Sequence, residues 1–319
     1  MRHVTLKQLR ALAGVLRCGT LSEAARQLRV TPPAVSLQLR LLEESVGLPL
    51  IDRTGDGPRP TQAGKEILLA IDRIETALGE CRDALEALKS LDGGRVAVGV
   101  VSTAKYFAPR ALAAFAKSHP RMDIRLSIGN RQETIAALES YRLDIAIMGR
   151  APEGIAVADA VIGPHPHIII GPPDHPLTKR RRLALEDLAS ETFLLREMGS
   201  GTRMLMERLF ASHGLKPKIG MEIGSNETIK QAVMAGLGVA LISAHTVAAE
   251  IEDHRLSPFD VLGLPLMRKW FVVRRADKRM LPAAQALWDF LHDNGARYLP
   301  TLDLPDRSSS RPRKKTRRS

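Results

Sequence analysis

Several side chains within the first fifty residues have types and positions suited to reading double-stranded DNA. Thr31 and Pro32 are typical of the cap and first position of a helix, where the missing proline N–H costs no hydrogen bond. Apolar residues at helical spacing give this helix one buried face. Hydroxyl groups on the other face can bond base edges in the major groove, and apolar groups can contact thymine methyls. The side chains on the face that is not buried, and that can contact another molecule, are Thr31, Pro32, Pro33, Ser36, Leu37 and Arg40.

The residues around this helix are typical of a helix-turn-helix spanning 21–40. Thr20 and Glu23 have capping-box spacing, which predicts a short helix directly before the turn. An earlier amphipathic helix would complete a three-helix core. The segment 50–60 predicts a wing in which Arg53 and Arg59 would lie against DNA phosphates. The residues alone leave open an ordinary helical hairpin in an all-α core.

A second group of polar residues stands at the predicted starts of helices in the C-terminal two thirds of the chain. Helix N-termini direct backbone N–H groups and partial positive charge at ligands, which favours anions. Arg203 follows a glycine-rich turn at one such start, and we expect it to be the main partner of an anion. The candidate ligand-binding residues are Ser102, Thr103, Arg196, Ser200, Gly201, Thr202, Arg203, Asn226 and Thr228.

The sequence does not favour an enzyme or a transport protein. It contains no GxSxG, P-loop or HExxH motif, so we expect no catalytic residue. The two cysteines, Cys18 and Cys81, lie far apart without a histidine cluster, so we expect neither a metal site nor a disulfide. No cofactor is expected. The N-terminus lacks a signal-peptide pattern and no run is long enough for a membrane helix, which predicts a cytoplasmic protein without membrane contact.

The formal net charge of +12 is distributed unevenly. Residues 1–65 carry a surplus of five positive charges, residues 307–319 carry seven more, and the middle of the chain is close to neutral. A basic N-terminal domain on a neutral body is the pattern expected of a local DNA footprint. The tail 302–319 is predicted to be disordered, either as a solvated charged end or as a segment attracted to DNA phosphates.

A heptad repeat follows the predicted wing. Apolar residues recur at alternating steps of four and three, which is typical of a helix that pairs with another helix. We therefore predict a linker and dimerisation helix over 62–92, with burial of the same stripe against its own domain as the alternative. The residues of the repeat are Ile67, Ile71, Ile74, Leu78, Cys81, Leu85 and Leu88.

Beyond residue 93 the pattern changes to short β-branched runs that alternate with helices. Strands are predicted at 95–101, 124–128, 144–148, 167–170, 192–195, 218–223, 239–242 and 266–273, with helices between most of them. This alternation predicts an α/β domain with a mainly parallel sheet.

The run AARQLRVTPPAVSLQLRLLEESVGLPLIDR followed by TQAG resembles the N-terminal domain of the LysR-type transcriptional regulators. The resemblance implies an all-α winged helix-turn-helix over 1–61 that contacts bases through the α-helix starting at Pro32. It further implies linker helices that pair between subunits. It also implies an effector domain over 93–301, built from two Rossmann-like subdomains like those of type 2 periplasmic binding proteins. Subdomain I would comprise 95–162 and 266–301, and subdomain II would comprise 163–265.

Two later runs, REMGSGTR and MAGLGVALISAHT, resemble the branch of this family that regulates Calvin-cycle carbon-fixation operons. That branch implies an activator whose effector is a phosphorylated metabolite or a reduced nicotinamide nucleotide such as NADPH. The alternative is a regulator of aromatic or amino-acid metabolism that responds to a small carboxylate. The partners implied are a partly palindromic operator in double-stranded DNA, a second copy of the chain in a homodimer or dimer of dimers, and RNA polymerase.

Overall fold

The computed structural model describes residues 4–54, 57–89 and 94–302, which form two compact units. The first unit contains the described residues up to Lys89, and the second contains most of those from Gly94 onward. From residue 303 onward the predicted basic tail lies outside the described residues. Among the helices that are described, none combines the length and apolar character needed to cross a membrane.

Helices and a hairpin build the first unit in the order that the sequence predicts. Its elements are α1 Leu6–Cys18, α2 Leu21–Leu28, α3 Pro32–Val46, β1 Ile51–Thr54, β2 Gly57–Pro60 and α4 Gln62–Lys89. Thr5 forms a capping box with Gln8 at the start of α1. Gly19 and Gly47 end α1 and α3 with positive φ, a conformation that glycine adopts without strain. The apolar helix faces meet in one core in which Leu42 is fully buried.

The capping box predicted at the start of α2 is only half formed. The Thr20 hydroxyl accepts from the Glu23 backbone N–H at 3.2 Å, as expected. The Glu23 carboxylate, however, accepts from the Arg26 guanidinium at 3.1 and 2.5 Å. The charge-assisted pair with Arg26 is stronger than a hydrogen bond to the neutral Thr20 backbone N–H. The Glu23 carboxylate therefore pairs with Arg26 instead of accepting from Thr20.

The start of α4 is tied to the base of the β1–β2 hairpin. The Thr61 hydroxyl donates to the Pro49 carbonyl at 2.7 Å and accepts from the Gly64 N–H at 3.0 Å. A Cβ atom on Gly64 would lie 2.1 Å from the Leu50 carbonyl oxygen, well inside van der Waals contact. Glycine at position 64 therefore permits the close approach that sets the hairpin against the helices.

The second unit alternates strands and helices. Its first half contains β3 Gly94–Val101, α5 Ala108–Ser118, β4 Met122–Gly129, α6 Arg131–Glu139, β5 Ile145–Met148 and β6 Val157–Gly171. Next come β7 Thr192–Arg196, α7 Gly201–Ser212, β8 Lys218–Ile223, α8 Asn226–Met234 and β9 Ala240–Ser243. The remaining elements are α9 Ala248–Glu252, β10 Ser257–Pro258, β11 Leu266–Arg275 and α10 Pro282–Asn294.

The sheet is less parallel than the sequence suggests. Strands β3, β4 and β5 are parallel to one another, and β7 is parallel to β8. Strand β11 pairs antiparallel with β5 and, along its whole length, with β6, while β9 and β10 also pair antiparallel with β6. The prediction of a mainly parallel sheet is therefore wrong for β6, β9, β10 and β11. The sequence predicts only 167–170 of β6 as a strand, because Pro164 and Pro166 interrupt its β-branched pattern.

The separate hydrophobic cores of the second unit lie in two lobes, for which the names subdomain I and subdomain II are kept here. A core around β3, β5, α5 and α10 fills subdomain I, and Phe115 and Trp270 are among its fully buried side chains. Two further cores lie around β7 and β9 in subdomain II. Strand β6 contributes Ile162 to the first core and Ile169 to subdomain II. The long pair β6–β11 thus connects the lobes.

Candidate DNA interface and ligand cleft

The first turns of α3 present hydroxyl and apolar side chains on the outside of the first unit. Val35 and Leu39 are buried on the inner face of the helix. Thr31 is the N-cap by backbone conformation, but its hydroxyl makes no capping hydrogen bond and so remains available to another partner. Arg40 lies 3.6 Å from the Glu44 carboxylate in an exposed pair, which binds weakly. The exposed residues are Thr31, Pro32, Pro33, Ser36, Leu37 and Arg40.

The predicted wing is present as the antiparallel hairpin β1–β2. Asp52 lies opposite Arg59, and Arg53 lies opposite Pro58. The side chain of Arg53 falls outside the described side chains, so its expected phosphate contact stays a prediction that rests on its place in the hairpin. The hairpin and the start of α3 belong to one unit with a shared core.

The heptad stripe of α4 divides into two parts. Ile67 and Ile71 are buried in the core of their own unit, as the alternative reading of the repeat expects. Ile74, Leu78 and Leu85 are exposed in the single chain, with 36%, 42% and 53% of their surface accessible. Cys81 is exposed as well, and the side chain of Leu88 lies outside the described side chains. The second half of α4 therefore leaves an apolar stripe that the described chain does not cover.

A cleft lies between subdomains I and II, with an empty volume of about 690 Å³ that includes its opening to solvent. Within the part of the chain that the structure describes, five arginines line the cleft and no carboxylate does. The polar and charged lining residues are Ser102, Thr103, Asn130, Arg131, Arg150, His165, His167, Arg196, Ser200, Thr202, Arg208 and Arg268. Such an excess of one charge sign in a concave site favours an anionic ligand.

Six of the nine predicted ligand-binding residues line this cleft. Ser102 and Thr103 follow β3, and Ser200, Gly201 and Thr202 form the start of α7. Arg196 ends β7. The sequence therefore predicts the part of the cleft lining that follows β3 in subdomain I and the part between β7 and α7 in subdomain II. Both parts lie where a strand is followed by a helix.

Arg196 is held within the protein rather than free in the cleft. Its side chain is 2% exposed and makes two bonds to the Glu197 carboxylate, at 2.7 and 2.9 Å. It also donates to the amide oxygen of Asn226 and, at 3.1 Å, to the Ser102 hydroxyl. Because Glu197 neutralises its charge, Arg196 joins subdomain II to Ser102 of subdomain I more than it attracts an anion.

The expectation that Arg203 is the main partner of the anion is wrong in this structure. Arg203 does not line the cleft. Its guanidinium donates to Glu207 at 2.8 Å, to Glu222 at 2.5 Å and to the Arg196 carbonyl at 3.2 Å. These carboxylates raise the pKa of Arg203, so its charge is already paired with Glu222 and Glu207.

Asn226 and Thr228 also lie outside the cleft lining. The start of α8 is capped by the Ser225 hydroxyl, which accepts from the Thr228 backbone N–H at 3.4 Å. Asn226 is 1% exposed and positions Arg196. The third predicted helix start therefore holds Arg196, a residue that lines the cleft, through Asn226.

The positive charge of the cleft comes mainly from arginines that the sequence did not single out. Arg131 begins α6 and donates to the carbonyls of Arg150 and Ala151, at 2.5 and 3.1 Å. Burial and the nearby charge of Arg150 lower the pKa of Arg131. Arg208 and Arg268 add two further charges, while Arg150 pairs with Glu153. Asn130 and Glu133 form a capping box at the start of α6. Their capping-box spacing is the sequence pattern that predicts a helix start at this part of the cleft.

Two histidines on neighbouring inward positions of β6 also line the cleft. His165 and His167 are 3% and 4% exposed. Burial lowers the pKa of His165 well below its usual value and lowers the pKa of His167 to about 3. Both imidazoles are therefore neutral at pH 7. Ser243 and Trp270 contact His165 from the surrounding strands.

Comparison with known proteins identifies the family to which both units of the chain belong. Residues 6–65 match the family model described as bacterial regulatory helix-turn-helix protein, lysR family. Residues 89–296 match the model described as LysR substrate binding domain. The chain belongs to the LysR family of transcriptional regulators. As a member of this family it is a DNA-binding regulator, not an enzyme.

Relatives within the LysR family cover nearly the whole chain. The HTH-type transcriptional regulator CbbR of Xanthobacter flavus is 54% identical over 302 residues, covering 94% of this chain and 91% of that protein. The RuBisCO operon transcriptional regulator of Allochromatium vinosum is 41% identical over 295 residues, covering 92% and 98%. Among solved structures, the Synechocystis PCC6803 CcmR regulatory domain in complex with 2-PG is 32% identical with a TM-score of 0.61, covering 63% of this chain and 96% of that one.

Proposed function

We propose that this LysR-family protein activates transcription of RuBisCO operons in the cytoplasm and that an organic anion bound in the cleft changes how it holds DNA. The observation that supports the ligand is the lining of the cleft: among the described residues it has five arginines, of which Arg196 and Arg150 pair with Glu197 and Glu153, and no carboxylate. The target operon is supported by the identity with the RuBisCO operon regulator.

DNA contact is assigned to the start of α3 and to the wing. Ser36 and Leu37 are exposed on the same helix as Thr31, whose hydroxyl makes no capping hydrogen bond. This face of α3 therefore offers hydrogen-bond and methyl contacts to base edges. Arg53 on β1 is assigned a phosphate contact, which positions the helix without reading sequence. Pro32, Pro33 and Arg40 complete the proposed surface.

Pairing of two chains is assigned to the second half of α4. An exposed apolar stripe at heptad spacing, through Ile74, Leu78 and Leu85, fits the same stripe of a second copy. Two linked DNA-binding domains would read a partly palindromic operator, and two dimers could bridge adjacent sites. RNA polymerase is the partner expected of an activator bound beside a promoter.

The chemistry of the cleft favours a phosphorylated metabolite, and a reduced nicotinamide nucleotide carries the same phosphate chemistry. Guanidinium groups bind phosphate in paired hydrogen bonds, and the start of α7 adds backbone N–H groups. The related CcmR domain was solved with 2-PG, an organic phosphate. The second candidate is a small carboxylate, which could pair with fewer of these arginines.

An effector acts only by binding one DNA-bound state better than another. The cleft lies between subdomains I and II, and Arg196 already bonds across it to Ser102. An anion held by Arg131 on one side and Arg208 on the other would favour one relative position of the lobes. That position would differ in how the paired chains hold DNA.

The test measures anion binding and DNA binding in the same variants. Calorimetry on the full chain would use D-3-phosphoglycerate, 2-phosphoglycolate, NADPH and benzoate. We expect phosphates to bind and Arg268→Gln to weaken them about tenfold or more. Arg125→Gln, which removes an exposed charge on β4, is the matched control and should bind like the wild type.

Gel shifts on DNA from a RuBisCO operon control region complete the test. Wild type and Arg268→Gln should bind this DNA equally without ligand, and only the wild type should respond to phosphate. Binding of benzoate but of no phosphate would support the carboxylate alternative. No specific binding to the control region would remove the proposed target.

A further inference from the structure

The Ser102 hydroxyl, which lines the cleft from subdomain I, faces two hydrogen-bond donors of subdomain II. A guanidinium nitrogen of Arg196 lies 3.1 Å from Ser102 Oγ, and the amide nitrogen of Asn226 lies 3.5 Å from the same oxygen. Arg196 ends β7, and Asn226 begins α8. The oxygen of Ser102 therefore accepts hydrogen bonds that the opposite lobe supplies.

The orientation of the Asn226 amide follows from its contact with Arg196. A guanidinium group has donors and no acceptor, so the Asn226 atom that contacts Arg196 is the amide oxygen. The amide nitrogen is then the atom that faces Ser102, and it too can only donate. Asn226 is 1% exposed and the Arg196 side chain is 2% exposed, so the surrounding residues hold both in place.

These two donors determine where the Ser102 proton points. A serine hydroxyl has two lone pairs and one proton. The N–H groups of Arg196 and Asn226 face the lone pairs, so the proton points away from both. Within the described part of the chain, no atom accepts this proton. Ser102 keeps part of its surface exposed and lines the cleft, so a ligand can accept the proton.

Two further contacts fix this arrangement. The Ser102 backbone N–H donates to the Gly129 carbonyl at 2.7 Å, which holds the end of β3 beside β4. Glu197 neutralises Arg196 through bonds of 2.7 and 2.9 Å. Arg196 therefore acts on Ser102 as a fixed hydrogen-bond donor and not as an unpaired charge. A hydroxyl whose proton direction is set before the ligand arrives binds that ligand without a cost of reorientation.

We infer that Arg196 and Asn226 are positioning residues for the effector, which hold Ser102 as a hydrogen-bond donor to an anionic oxygen of the bound ligand. Such a bond to an oxyanion is charge-assisted and stronger than one between neutral groups. A ligand N–H group at this position would meet another donor, so the cleft favours an oxygen without a proton there. The inference rests on the proposed anion site and adds the residues that orient one of its contacts.

Asn226→Asp tests the orientation with little change in side-chain shape. A carboxylate has no proton to donate, so it would accept the Ser102 proton and turn it away from the ligand. Calorimetry on the full chain would use 2-phosphoglycolate as the probe, and Asn226→Asp should weaken its binding about tenfold or more. Gln231→Glu makes the same amide-to-carboxylate change at an exposed position on α8. This matched control should bind within about twofold of the wild type.

The same substitution in a Ser102→Ala background separates the orientation of Ser102 from the added charge. Ser102→Ala should itself bind about tenfold more weakly because it lacks the donor, whereas Ser102→Thr retains a hydroxyl and should bind nearly like the wild type. Without a hydroxyl to reorient, Asn226→Asp should weaken binding by no more than about threefold. An equal loss in both backgrounds would overturn the inference.

Asn226→Ala distinguishes a positioning role from packing. Alanine removes the amide but introduces no acceptor, and Arg196 still faces the Ser102 oxygen, so binding of 2-phosphoglycolate should fall by about threefold or less. If Asn226 served only to fill space, alanine would weaken binding at least as much as the isosteric aspartate does. A loss with alanine as large as that with aspartate would therefore contradict the positioning role.

The remaining outcomes separate this inference from the proposed anion site. If Asn226→Asp does not fold, undiminished binding by Ser102→Ala, or a loss of about tenfold with Asn226→Ala, still overturns the inference. If the wild type does not bind 2-phosphoglycolate or D-3-phosphoglycerate, the anion site fails and the Ser102 contact fails with it. If Arg268→Gln weakens binding while Ser102→Ala binds like the wild type, the anion site stands and only the assignment to Ser102 is lost.

Discussion

Acidification is expected to destabilise the second unit through its buried neutral histidines. Burial lowers the pKa of His165 well below its usual value, that of His167 to about 3, and that of His245 to about 4. In the unfolded chain a histidine has a pKa of about 6.5. The unfolded state therefore binds more protons than the native state at every pH between these values, so the free energy of unfolding falls as pH falls below about 6.5.

The size of the effect follows from the pKa difference at His167. Between pH 7.5 and 5.5 an unfolded histidine takes up most of one proton, whereas the buried His167 takes up almost none. Integrating this difference gives a loss of about 1 kcal/mol for His167 alone, and the other two buried rings act in the same direction. His167→Leu should remove the contribution of His167 to the pH dependence, so the free energy of unfolding should change less with pH.

Urea unfolding followed by tryptophan fluorescence measures this share. Both tryptophans, Trp270 and Trp288, lie in the second unit, so the signal follows that unit alone. The difference between the free energies of unfolding at pH 7.5 and 5.5 should be about 1 kcal/mol smaller in His167→Leu than in the wild type. His292→Leu, at an exposed position on α10, is the matched control. An identical pH dependence in wild type and His167→Leu would refute the account of a buried neutral ring.

Further predictions concern the first unit. Gly64→Ala should lower the free energy of unfolding by about 3 kcal/mol in chemical denaturation, because its Cβ atom would overlap the Leu50 carbonyl; unchanged stability would contradict the close approach. Leu78→Asp should leave the fold of each chain intact, since Leu78 is exposed in it, yet reduce the mass measured by light scattering from a dimer to a monomer; a full dimer would instead assign the stripe to packing within one chain. Ser36→Ala should relax preference at one operator position at a cost of about 1–3 kcal/mol, whereas Arg53→Ala should weaken binding to all DNA and make its salt dependence shallower. Equal salt slopes in gel shifts of wild type and Arg53→Ala would exclude the phosphate contact.

The helical N-terminal unit was predictable because its signals are local. Capping residues, proline at the start of α3 and apolar spacing each act within one or two turns of a helix. The capping box at Thr20 lacks its second hydrogen bond, from the Thr20 N–H to the Glu23 carboxylate, because Arg26 pairs with that carboxylate. Such competition depends on rotamers, which residue types alone do not determine.

The heptad of α4 shows a second limit of sequence reasoning. The spacing of Ile67 and Ile71 is the same as that of Ile74 and Leu78, yet the first pair packs within its own unit. A periodic pattern identifies the buried face of a helix but not the molecule that covers it. The partner is determined by how much of the helix extends beyond its own core.

The cleft could be found from sequence, but its charges could not. The starts of α6 and α7 carry local capping and glycine signals, whereas Arg208 and Arg268 reach the cleft through the packing of α7 and β11. Arg203 had the expected residue type and position, but α7 turns it toward Glu207 and Glu222. The prolines beside His165 and His167 concealed the strand that brings both rings to the floor.

The measurement that tests the central claim most directly is a DNase I footprint of the full chain on a RuBisCO operon control region, with and without D-3-phosphoglycerate. We predict protection of a partly palindromic site by the wild type and a change in the length or spacing of the protected region when the phosphate is added. Arg268→Gln should protect the same site and show no change with phosphate. A wild-type footprint that stays the same at phosphate concentrations at which calorimetry shows the cleft to be filled would contradict the claim that this anion controls DNA binding.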